Sequence, residues 1–166
     1  MRYRGEQCIG MAALLLFVAI ALYLAPLKPG IVALQLTFSP SAFQQVLAAW
    51  QADGVQRFRA HFPADFVLLL LYGSYGLLFA TRTPLFGQRS AAARKRTAGL
   101  LPLAAGFDAT ENILHLCLTA PDSAPASILY VVAGACSVLK FVLIATFVST
   151  VLTARSQLKK GTSTNV

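Results

Sequence analysis

Asp108, Glu111, Asn112 and His115 fall within Gly106-Phe107-Asp108-Ala109-Thr110-Glu111-Asn112-Ile113-Leu114-His115, in the middle of a long apolar run. At helical spacing these four residues share one face. Such a set could do several kinds of chemistry. Two carboxyls close together favour protonation of one of them, and a carboxyl that keeps its proton can act as an acid or base. Carboxylates with histidine are metal ligands, and amide, carboxyl and imidazole groups also hold polar ligands by hydrogen bonds. Each ionisable group at the centre of a membrane helix costs about 2.5–3.5 kcal/mol on insertion scales, so such residues face a protein interior or a wet cavity.

The elements that must position this set are apolar helices. Of the 166 residues, 57% are hydrophobic and 12% are charged, and the mean hydropathy is +0.65. This composition suits a polytopic membrane protein better than a soluble domain. The expected fold is all-α, one domain of four transmembrane helices over residues 8–27, 63–81, 98–120 and 126–152. An outer segment, 28–62, precedes the second span. A basic cytoplasmic loop, 82–97, precedes the third, and a disordered tail covers 154–166. The first run is long for the apolar core of a signal peptide, and Pro26 follows the small Ala25, so it is expected to stay as a helix.

Within the outer segment, residues 31–38 alternate weakly and predict an extended stretch. Ser39-Pro40 then gives a helix start with cap and first-position proline. Phe43, Val46, Leu47 and Trp50 recur on one face, with Gln44, Gln45 and Gln51 opposite. This predicts a short amphipathic helix, broken at Asp53-Gly54, with Trp50 at headgroup level.

The net charge of +8 does not indicate nucleic acid, because the basic residues flank apolar runs. Arg2 and Arg4, then Arg82, Arg89, Arg94, Lys95 and Arg96, then Arg155, Lys159 and Lys160 occupy three segments that an even number of spans places on one side. Both termini are therefore expected to be cytoplasmic. Cys8, Cys117 and Cys136 make an odd set with no CxxC pair, which reads as buried thiols rather than a disulfide framework.

Lys140 lies in the fourth span at the depth of Asp108 and Glu111 in the third, and the short turn between these spans makes them antiparallel neighbours. An ion pair from Lys140 to Asp108 or Glu111 follows. Two carboxyls against one ammonium leave one to hold a proton or to be served by Asn112, Tyr72, Tyr75 or His115. Asp65 and Tyr72 share a stripe of the second span and could line one cavity with this set; Asp65 could equally be a helix N-terminal charge beside Arg57, Arg59 and His61. No metal site is expected: bundle sites repeat E-x-x-H on two helices, only one partial set is present, and Lys140 would repel a cation.

The chain resembles small four-helix bacterial integral membrane proteins in a Leu34-Gln35-Leu36-Thr37-Phe38 segment, Trp50 followed by Gly54, Asp65 then Tyr72, and Asp-x-x-Glu-Asn at Asp108, Glu111 and Asn112. The resemblance implies a bacterial cytoplasmic (inner) membrane and carries no catalytic assignment. Three functions are expected to compete. The first is a ligand-binding or accessory subunit that holds a lipid or lipophilic small molecule, or docks to a larger membrane complex, through Asp108, Glu111, Asn112, His115, Lys140, Asp65 and Tyr72. The second is a membrane-embedded enzyme with Glu111 or Asp108 as acid/base beside Lys140. The third is proton-coupled transport by a homo-oligomer. No cofactor is indicated.

Overall fold

The computed structural model describes residues 4–87, 89–121 and 125–163. Most of the expected outer turn at 121–125, the first three residues and the end of the tail lie outside them. The described residues form helices joined by short turns. Helix α1 (Arg4–Leu24) is almost wholly apolar and stops before Pro26 and Pro29. The stretch expected to be extended contains a short helix, α2 (Ile31–Gln35). Its end is closed by the Thr37 hydroxyl, which donates to the Leu34 carbonyl at 2.7 Å.

Helix α3 (Pro40–Ala60) starts as the sequence predicts. The Ser39 hydroxyl accepts from the Ala42 N–H at 3.3 Å, and Pro40 occupies the first turn. It is longer than the expected segment and breaks elsewhere. The break falls at Gln51 (φ 57°, ψ −175°) rather than at Asp53-Gly54. Gly54 serves packing instead: a Cβ there would lie 2.7 Å from Trp50 Cβ. Trp50 does not stand at the outer surface. It is buried, and its indole N–H donates to the Pro29 carbonyl at 2.6 Å.

Helix α4 (Phe62–Arg82) begins almost at once, and a 3-10 turn (Pro84–Phe86) leads to α5 (Ala91–Leu118). The Ser90 side chain caps α5, so this helix claims residues expected in the basic loop. Helix α6 (Ile128–Ser163) continues through much of the expected tail. Three described helices are long and apolar enough to cross a membrane: Gly5–Leu24, Phe62–Arg82 and Ile128–Leu158. Helix α5 is long enough, but Arg94, Lys95, Arg96, Asp108 and Glu111 lower its hydropathy.

Helix α4 packs along α5, α5 along α6, and α1 along α4, whereas α1 makes no comparable contact with α5 or α6. The α4–α5 seam is close because Gly76 carries no side chain; a Cβ there would lie 2.5 Å from Leu101 Cβ. Two apolar clusters hold the ends. Leu24, Leu27, Leu34, Phe43, Trp50, Phe58 and Phe62 join Leu118 and Tyr130 at the α3 end. Ala80, Phe86, Ala98 and Ala154 pack at the opposite end. Large apolar side chains such as Leu22, Leu70, Leu103, Ile113 and Leu152 are more than half exposed on the outer faces, which suits a lipid surroundings.

Candidate functional site

Between the two apolar clusters runs a buried polar row. Its backbone is one face of α5, where Asp108, Glu111, Asn112 and His115 follow at helical spacing and all are buried. Lys140 reaches across from α6. Its ammonium is 2.8 Å from Asp108 Oδ1 and 2.7 Å from Glu111 Oε2, as their matched depths predict. The Tyr72 hydroxyl of α4 donates to Asp108 Oδ2 at 3.1 Å. Asp108 therefore has a donor on each oxygen.

Glu111 is less well served. It is fully buried, and neither of its oxygens has a hydrogen bond of proper direction, the Lys140 contact being an ion pair by distance. His115 Nδ1 stands 3.6 Å from Glu111 Oε1, beyond hydrogen-bond reach. Its ring is stacked on Phe43 and meets Phe58 edge-on, with centroids 5.8 and 5.7 Å away. The α3 hairpin thus fixes the imidazole from the α3 end.

Asp65 belongs to this row rather than to a cluster with Arg57 and Arg59. The Asn112 amide donates to Asp65 Oδ2 at 2.6 Å. Arg57 instead donates to the Tyr23 carbonyl at 2.9 Å and lies over the Tyr23 ring. Arg59 donates to the Leu116 carbonyl at 2.8 Å and the Thr119 hydroxyl at 2.7 Å, closing the end of α5. All seven residues expected at a site are thus brought into one neighbourhood. Tyr75, an expected helper, is not; it faces Gly10 of α1.

Two further residues join them. His61 is buried and bonded through Nδ1 to the Phe58 carbonyl, and burial lowers its basicity below the ordinary imidazole range. Ser137 is fully buried one turn before Lys140 on α6, with its hydroxyl donating to the Ala133 carbonyl at 3.1 Å. The signal for Ser137 is its i−3 spacing from Lys140. For His61 it is only proximity in sequence to Asp65.

The row forms one wall of a cavity of about 700 Å³. Asp65, Tyr72, Asp108, Asn112, His115 and Lys140 supply the polar side, and Glu111 stands behind Lys140 without lining it. The rest of the lining is apolar apart from Lys28, Gln35 and His61, and comes mainly from α1 and from the segment that follows it, with Phe141 and Ile144 of α6. Because α1 packs on α4 without closing on α6, the cavity lies between these two helices with exposed Leu14 and Phe17 on its rim. Its size is that of pockets for drug-sized ligands. Among the described residues no three His, Cys, Asp or Glu side chains converge to hold a metal ion. Lys140 occupies the space between Asp108 and Glu111 that an ion would need.

Of the cysteines, Cys136 is buried while Cys8 and Cys117 are exposed, and all three are free thiols. No model of a known protein family, no curated protein and no solved structure matches the chain.

Proposed function

We propose that this chain is an integral membrane protein of four spans, with α5 as the fourth, that binds a lipophilic small molecule between α1 and α6. The observation that carries the reading is the joining of apolar walls and a buried hydrogen-bonding row in one cavity. Apolar lining recognises a lipophilic body, and a few fixed polar groups orient one polar end. Shielding by α4 on one side and α6 on the other supports α5 as a span, since its carboxylates meet Tyr72 and Lys140 rather than lipid. The basic residues at both termini and around the start of α5 support a cytoplasmic location for all three segments.

Native mass spectrometry of protein purified in mild detergent tests this reading. A lipophilic molecule retained at one copy per chain is expected from the wild type. Ala21→Trp, which fills the cavity from the loosely packed α1 side, should release it. Equal retention in both proteins would contradict a ligand in this cavity.

A further inference from the structure

The polar wall has a sign. Asp65, Asp108 and Glu111 place three carboxyl groups in the row, and among the described residues Lys140 is the one ammonium paired within it, with Asp108 and Glu111. Lys140 is already engaged by both Asp108 and Glu111, so its charge is spent inside the row. His61 is buried on the same wall, where burial lowers its basicity and its Nδ1 is bonded to the Phe58 carbonyl. Lys28 also borders the cavity, but it is exposed, and no ion pair joins it to the row among the described residues.

The carboxyl with capacity left over is Asp65. Asn112 occupies its Oδ2, no donor among the described residues occupies its Oδ1, and the residue is only half-buried at the cavity. Asp108, by contrast, has both oxygens taken by Tyr72 and Lys140. A ligand head that approaches this wall therefore meets an acceptor with excess negative charge. A hydrogen-bond donor carrying positive charge satisfies it, and a carboxylate or phosphate head is repelled. The space beyond the row is apolar: Leu68 of α4, Leu101 of α5, Ala13 and Leu14 of α1, and Ile144 of α6 line it. This is the shape of a head group beside Asp65 with a hydrocarbon chain running away from the α3 end.

We infer that the cavity takes a lipophilic amine, whose ammonium pairs with Asp65 while its chain lies between α1 and α6. The inference rests on the cavity being a ligand site and adds the class of ligand. A neutral alcohol of the same chain length would keep the apolar contacts but lose the ion pair. A fatty acid would bring a fourth carboxyl to the wall.

The test uses the full chain in lipid nanodiscs, offered hexadecylamine, hexadecanol or hexadecanoic acid, with retained adducts read by native mass spectrometry. The amine should be retained roughly tenfold more strongly than the other two, about 1.4 kcal/mol. Asp65→Asn should lose that preference while keeping the weak hexadecanol adduct, which shows that the variant is folded. Ala21→Trp should lose all three. Retention of the alcohol or the acid as strong as that of the amine, or an unchanged amine preference in Asp65→Asn, would overturn the amine class and leave the ligand site standing. Equal adducts in wild type and Ala21→Trp, or no adduct with any of the three, would overturn the amine proposal together with the site.

Discussion

At the scale of single residues, Lys140 is the side chain on which the interior depends. It joins Asp108 and Glu111, and neither Glu111 oxygen has a well-directed hydrogen bond beside this ion pair. Removing one member of a buried ion pair leaves the other charge without compensation, at a cost of about 3–5 kcal/mol. Lys140→Met should therefore lower unfolding stability in detergent by about that much. Lys140→Met with Glu111→Gln should recover part of the loss, because one uncompensated carboxyl is gone. Losses that simply add would show that the two groups act independently. Tyr72→Phe removes one donor from Asp108 while the Lys140 bond remains, so a smaller loss of about 1–2 kcal/mol is expected in the same assay. The pairing of Lys140 was legible in the sequence because depth in two antiparallel helices follows from residue counts. The Asn112–Asp65 bond was not, since it requires the rotation of α4 about its axis. The basic Arg57 and Arg59 offered Asp65 a nearer partner in sequence, yet both reach backbone carbonyls of α1 and α5.

At the scale of elements, the helices were readable where apolar length decides them and less so where packing does. The break at Gln51 illustrates this. Asp53-Gly54 is a strong turn signal, but Gly54 is needed for the close approach of Trp50 and Leu27, and the backbone turns two residues before the glycine pair's expected break. Residues 31–35 form a helix although their weak alternation suggests an extended chain, and Leu34 within it is fully buried in the α3-end cluster. The α4–α5 seam gives a prediction. Gly76→Ala puts a methyl 2.5 Å from Leu101 Cβ and should cost about 1–3 kcal/mol as the helices are pushed apart. Gly106→Ala on α5 meets nothing within 4 Å and should be neutral or stabilise by up to about 1 kcal/mol, since alanine favours helix. Thermal unfolding of the two variants side by side measures the difference. Equal effects would mean that the seam is not as close as described.

At the scale of the whole molecule, α4, α5 and α6 form a layer that buries charge, and α1 packs on α4 and forms the wall of the cavity facing α6. The packing of α1 chiefly on α4 accords with its many exposed apolar residues, which include outward-facing positions and the rim of the cavity. Hydropathy shows α1 as a span but not the gap it leaves, because a helix facing lipid and a helix facing an apolar cavity have the same composition. The same arrangement predicts thiol reactivity. In folded protein in mild detergent, Cys8 and Cys117 should react with a small maleimide and Cys136 should stay unmodified until denaturant is added. Early loss of Cys136 would show that the α5–α6 interior opens more readily than its packing implies. The central claim is that the space between α1 and α6 is a ligand site rather than a packing gap. A crystal structure of the protein grown in a lipid phase tests it most directly. An elongated molecule with its polar end within hydrogen-bond distance of Asp65 is the predicted result. Direct packing of Phe17 and Ala21 of α1 onto Phe141 and Ile144 of α6, with the cavity closed, would contradict it.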